Sequence, residues 1–106
     1  MYASVRRYRL ESGSLGELMH RVDRDFADAM AREPGFLAYL AIDCGEGTIC
    51  TLTMFQDEDK AQDSNERSAE WVAANLADYD LARTDVIGGE VMVSRASSDV
   101  LEPAHH

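Results

Sequence analysis

Seven consecutive residues, Phe36-Leu37-Ala38-Tyr39-Leu40-Ala41-Ile42, are apolar at every position. Asp43 to Gly47 follow as a glycine-containing turn, and Thr48 to Phe55 return as a second β-rich run, so the segment reads as a β-hairpin. A strand with one face in water alternates apolar and polar side chains, and residues 36–42 offer no such alternation. Both faces of the sheet they join must therefore be covered.

The flanking segments say what is available to cover it. Residues 2–10 mix β-branched, aromatic and arginine side chains without a helical period, as an opening strand does. Ser14-Leu15-Gly16-Glu17 has the spacing of a capping box, and the apolar positions Leu15, Leu18, Met19, Val22, Phe26, Ala29 and Met30 follow at helical intervals. Pro34-Gly35 stops that helix. Asp57 and Asp59 open a second one, with Ala61, Ser64, Ser68, Trp71, Val72, Asn75, Leu76 and Tyr79 on its inward face. A last strand is expected at 84–95, with Gly88-Gly89 marking either a bulge or a close backbone approach.

The resulting order, β-α-β-β-α-β, is an α+β, ferredoxin-like arrangement in which two helices cover one face of a four-stranded antiparallel sheet. A chain of 106 residues has nothing left for the other face, so a homodimer packed sheet against sheet is the simplest solution. The domain is expected over residues 1–95, with a flexible C-terminal tail at 96–106. His105 and His106 at its end are either native or a tag remnant.

A net charge of −10 repels phosphate backbones and anionic lipid, which argues against a nucleic-acid partner. No stretch approaches the length of a membrane span and the N-terminus lacks an apolar leader, so no membrane association and a cytoplasmic location are expected. Cys44 and Cys50 flank the hairpin turn at a diagonal offset and read as reduced thiols packed in the core.

Glycine-rich phosphate loops, HExxH, CxxC, GxSxG and EF-hand patterns are all missing, and His20 has no second ligand at i+4. The expectation is no metal and no cofactor. What remains is a polar and aromatic set on surfaces that should meet between sheet and helices: Arg6, Tyr8, Tyr39, Asn65, Trp71 and Asn75. Trp71 reads either as a core anchor or as a stacking surface, and Tyr8 and Tyr39 as packing residues with a hydroxyl at the edge. Asn65 is a surface or capping residue, or an amide for a ligand carbonyl or oxyanion. Arg6 neutralises an anionic ligand or pairs with a surface acid.

The segments Pro34-Gly35-Phe36, Met54-Phe55-Gln56-Asp57, Ser64-Asn65-Glu66-Arg67 with Trp71-Val72, and Gly89-Glu90-Val91 resemble the antibiotic biosynthesis monooxygenase-like, dimeric α/β-barrel superfamily over about residues 2–95. The resemblance implies a ferredoxin-like fold that dimerises through its sheets. It also implies cofactor-independent monooxygenation of an aromatic or quinol-type small molecule, in which a deprotonated phenol reacts directly with dioxygen. Asn65, Trp71 and Tyr8 would then be the catalytic candidates, and Arg6, Tyr39 and Asn75 the substrate-binding ones. The haem-degrading branch fits less well, because Arg6 and Arg7 stand where its first strand carries an Asn and the second helix has no histidine. The superfamily also contains small proteins without activity, so a non-catalytic ligand-binding or stress-associated dimer is the alternative, and a core with no ligand at all is a third reading.

Overall fold

The computed structural model describes residues 1–97. Four strands, β1 (Tyr2–Ser12), β2 (Phe36–Gly45), β3 (Thr48–Phe55) and β4 (Asp80–Glu90), form one antiparallel sheet in the order β2-β3-β1-β4. The helical segments are α1 (Leu15–Arg21), a π-helical turn at Val22–Phe26, α2 (Ala27–Ala31) and α3 (Glu58–Asn75). The α+β, β-α-β-β-α-β architecture expected from the sequence is the one observed. Of the expected tail, residues 98–106, including His105 and His106, lie outside the described residues.

Local chemistry sets the element ends. The Ser14 hydroxyl accepts the Glu17 amide at 3.3 Å and caps α1, while the Asp57 carboxylate accepts the Lys60 amide at 2.9 Å and caps α3. In the β2–β3 hairpin, Glu46 and Gly47 both have positive φ, 53° and 80°, as a two-residue type I′ loop demands. A Cβ on Gly47 would lie 2.7 Å from the Leu10 carbonyl oxygen, so that loop also packs against β1.

Leu18, Val22, Phe26 and Met30 recur at intervals of four and are all buried. In an α-helix such a stripe rotates by about 40° per step. The under-wound π turn takes up part of that drift and keeps all four side chains aimed at the sheet. The sequence periodicity, read as one regular helix, did not reveal it.

β4 begins four residues earlier and ends five earlier than expected. Its limits are those of its partner: Ser12 pairs with Asp80 and Tyr2 with Glu90, so nothing on β1 remains for residues 91–95 beyond the bond from the Val91 amide to the Met1 carbonyl. The bulge lies at Thr84, skipped between the Arg7–Asp85 and Tyr8–Arg83 pairs. Gly88 instead permits a close approach, with the Tyr2 hydroxyl 2.7 Å from where its Cβ would be. The thiols are free, but the expectation that both pack in the core is wrong: Cys44 is exposed, and Cys50 is half-buried on the sheet face turned away from the helices. Proximity to the Cys50 thiol raises the Cys44 pKa.

Strand alternation divides the sheet into two surfaces. Ile49, Thr51, Thr53 and Phe55 of β3 and Ser4 and Arg6 of β1 are buried beneath the helices. On the opposite surface, the register aligns Leu40, Leu52, Val5 and Ile87 in one row crossing all four strands. Ile87 is 67% exposed there.

Phe55 has no exposed surface and meets Phe36 edge-on at 5.9 Å, tying the hairpin to the core. Phe55→Ala is expected to cost about 3–5 kcal/mol in urea unfolding, the range for truncating a buried Phe. A loss below about 1 kcal/mol would show that this end of the core collapses around the gap.

Candidate functional site

The inward face of β1 and β3 is polar where a core is normally apolar. Arg6 and Thr51 sit directly opposite one another in the ladder, and both point under the helices. Above them stand Leu18, Met19, Val22 and Phe26 from the first helical stretch and Trp71, Val72 and Leu76 from α3 and its end. These residues, with Tyr8, Tyr39, Ile49 and Leu81, enclose a cavity of about 40 Å³. One water needs roughly 10–15 Å³, so the space takes about three waters or the head group of a ligand.

Arg6 is 1% exposed, and its Nε and Nη2 atoms are buried without a hydrogen-bond partner. Among the described residues, no carboxylate forms an ion pair with it: Arg7 pairs instead with Asp85 at 3.2 Å on the other face, and Arg9 with Glu11 at 3.2 Å. Burial lowers the Arg6 pKa, and Arg83 pushes in the same direction, whereas Tyr8 and Tyr39 oppose the shift. Thr51 Oγ1 is likewise buried and unpartnered. A buried charge ordinarily acquires a partner, so unpartnered donors on two residues that line the cavity set this floor apart from an ordinary core.

The walls are aromatic. Phe26 stacks edge-on against Tyr39 at 5.5 Å and lies tilted against Trp71 at 5.0 Å. Burial raises the Tyr39 pKa, which keeps its hydroxyl protonated and able to donate at neutral pH. Phe26 and Trp71 also border a second space of about 210 Å³ between the helices, which the Arg67–Glu33 ion pair flanks. A third, outer groove of about 440 Å³ runs between the first helical stretch and β2, with His20 on its rim.

Of the six residues singled out from sequence, Arg6, Tyr8, Tyr39 and Trp71 line one cavity. The two asparagines do not join them. Asn75 is exposed at the end of α3, where its amide donates to the Trp71 carbonyl at 3.0 Å and its own carbonyl accepts Arg21 Nη2 at 2.6 Å. Leu76, not Asn75, turns into the core there. Asn65 is half-buried on α3, and its Oδ1 is buried without a partner, yet it does not border the Arg6 cavity. The sequence reading missed Thr51 and the role of Phe26 as a wall. The signal for Thr51 was present, since an inward position of an alternating strand carrying a hydroxyl is conspicuous once the register is known.

No protein-family model and no curated protein matches the sequence. Solved structures do match. The chain superposes on SnoaB, a cofactor-independent oxygenase from Streptomyces nogalater, with a TM-score of 0.69 at 16% identity, covering 88% of this chain and 94% of that one. The haem degrader MhuD from Mycobacterium tuberculosis, with two haems bound in its active site, matches with a TM-score of 0.69 at 19% identity, covering 91% and 100%. A dimeric ferredoxin-like protein from an uncultured marine organism matches with a TM-score of 0.68 at 11% identity, covering 92% and 100%. The chain thus shares the ferredoxin-like α+β fold of these proteins.

Replacing a buried charge by an apolar side chain of similar length relieves its desolvation. Arg6→Met is expected to raise the unfolding free energy of the ligand-free protein by roughly 1–3 kcal/mol, read by denaturant titration. A clear loss would mean that the guanidinium is a structural anchor instead.

Proposed function

We propose that this chain, sharing its fold with small oxygenases, is a homodimeric, cofactor-independent monooxygenase that takes an aromatic phenol or quinol-type molecule into the Arg6 cavity of each subunit. One domain over residues 1–95 carries that site. The supporting observation is a fully buried, uncompensated guanidinium at the floor of an aromatic-walled cavity. Such a group favours the anionic form of whatever binds beside it and so lowers the pKa of a ligand phenol.

Among the described residues, the cavity lining includes neither a carboxylate nor an imidazole, and Tyr39 is held protonated. Ionisation of the ligand therefore depends on stabilising the anion, with the proton leaving to solvent. Phe26, Tyr39 and Trp71 supply the stacking surface, and the Tyr39 and Tyr8 hydroxyls supply donors. In a hydroxyanthrone-type ligand, which carries a ring methylene beside its phenols, the electron-rich anion then reacts with dioxygen at that activated methylene. One oxygen atom becomes the new carbonyl, and the other leaves as water with the two methylene hydrogens. Asn65 and Asn75, away from the cavity, have no part in this step.

Haem does not fit this site. His20, the internal histidine, lies on the rim of the outer groove, separated from the Arg6 cavity by Met19, Val22 and Tyr39, which border both spaces. The lack of a base in the lining favours one alternative, a non-catalytic dimer that holds the same anion without turning it over.

Support for the homodimer is the apolar row Leu40, Leu52, Val5 and Ile87, which no helix among the described residues covers, together with exposed Met92 and Val93 just past β4. Leu52, paired with Val5 on one side and Leu40 on the other, lies inside that row. Native mass spectrometry should find a dimer for the wild type and a folded monomer for Leu52→Asp. A monomeric wild type would remove this interface.

Catalysis is checked in an oxygen electrode with metal-stripped protein and a panel of hydroxyanthrones and naphthoquinols. The expected outcome is dioxygen consumption with one labelled oxygen atom entering the product. Trp71→Ala should raise KM roughly tenfold, about 1.4 kcal/mol of lost stacking. Arg6→Met should move the pH profile upward, because the phenol must then ionise unaided. Ligand binding without oxygen uptake anywhere in the panel would select the non-catalytic alternative.

A further inference from the structure

The atoms of Arg6 left without partners are Nε and Nη2. These two nitrogens form one edge of the planar guanidinium, and their N–H bonds run side by side. An edge of that shape matches two coplanar oxygens sharing a negative charge, in the bidentate fork that arginine makes with carboxylates. A single phenolate oxygen would leave one of the two N–H groups buried and unsatisfied, at the cost that accompanies any orphaned buried donor.

The neighbouring groups extend the same pattern. Thr51, directly across the ladder from Arg6, brings an unpartnered buried hydroxyl to the cavity floor. Tyr8 and Tyr39 bring phenolic hydroxyls to its sides. The apolar ceiling of Leu18, Val22, Val72 and Leu76 lowers the polarity around the charged fork and so strengthens its attraction for an anion.

Resting on the reading above that the cavity takes an aromatic anion, we propose that its ligand carries a planar two-oxygen oxyanion clamped by the Arg6 Nε/Nη2 edge and Thr51. Either an aromatic carboxylate or an ionised quinol with an adjacent oxygen supplies this chemistry. The space of about 40 Å³ holds that head group, and Phe26 and Trp71 border both it and the 210 Å³ space between the helices.

The sequence holds one tryptophan, Trp71, on the cavity wall, so its fluorescence reports occupancy. The probes are 4-hydroxybenzoate and its neutral isostere 4-hydroxybenzamide, alongside 1,8-dihydroxyanthrone, which has adjacent oxygens, and unsubstituted anthrone, which has one. Titrations of the full-length protein, repeated by calorimetry, should show the two-oxygen member of at least one pair binding at least tenfold more tightly. A preference in the benzoate pair identifies a carboxylate ligand, and one confined to the anthrone pair identifies a quinol anion. Arg6→Lys keeps the charge but loses the fork and should abolish most of that preference, while Thr51→Val weakens it several-fold. Equal binding within both pairs, or an unchanged preference in a folded Arg6→Lys variant, would overturn the proposal. Oxygen uptake without two-oxygen selectivity would sink this inference and spare the oxygenase reading. Selective binding without oxygen uptake would do the reverse.

Discussion

The antiparallel pairing of β1 with β3 is the constraint on which both surfaces of the protein depend. It sets Val5 beside Leu52 on one face and Arg6 opposite Thr51 on the other. A slip of one residue would exchange the faces of every side chain on β1, turning Arg6 toward solvent and Val5 into the cavity. The same register places Tyr2 beside Phe55, where the apolar core closes the far end of the sheet.

Two opposed demands are met on that pair of strands. The outer face carries an apolar row across four strands, with the Arg7–Asp85 and Arg9–Glu11 ion pairs toward one end. The inner face carries Ser4, Arg6, Thr51 and Thr53 under helices that contribute apolar side chains and two serines, Ser64 and Ser68. A polar floor beneath an apolar ceiling is a poor way to stabilise a small domain, since each unsatisfied donor costs free energy that a leucine would not. Stability given up at one place in an otherwise well-packed core is characteristic of a binding site.

The helices position the walls. The π turn keeps Phe26 in line with Leu18, Val22 and Met30, and Phe26 is the ring that touches both Tyr39 of the edge strand and Trp71 of α3. π turns within α-helices frequently accompany functional sites, because the extra residue re-aims side chains without breaking the helix. Three elements distant in sequence thus meet in one aromatic cluster above the arginine.

The sequence by itself determined the element order, the stops and caps, and the need for a second covered sheet face, because these follow from local rules: Ser14 and Asp57 cap helices, Pro34-Gly35 ends one, and residues 36–42 have no polar side. It also contained Arg6, Tyr8, Tyr39 and Trp71 as candidates, since polar and aromatic side chains on segments due to meet between sheet and helices stand out by residue type. What only the tertiary structure decided was which of them meet. Asn75 differs from Trp71 by about 40° around the helix, and a rotation that small is set by packing of the whole helix, not by spacing, whereas Asn65 lies about 120° away. The limits of β4 depended on the length of β1, and the side to which Arg6 points depended on a register fixed by strands more than forty residues away. Residue type can announce that a charge will be costly to bury; only the fold decides that it is buried, and that its counter-charge must come from elsewhere.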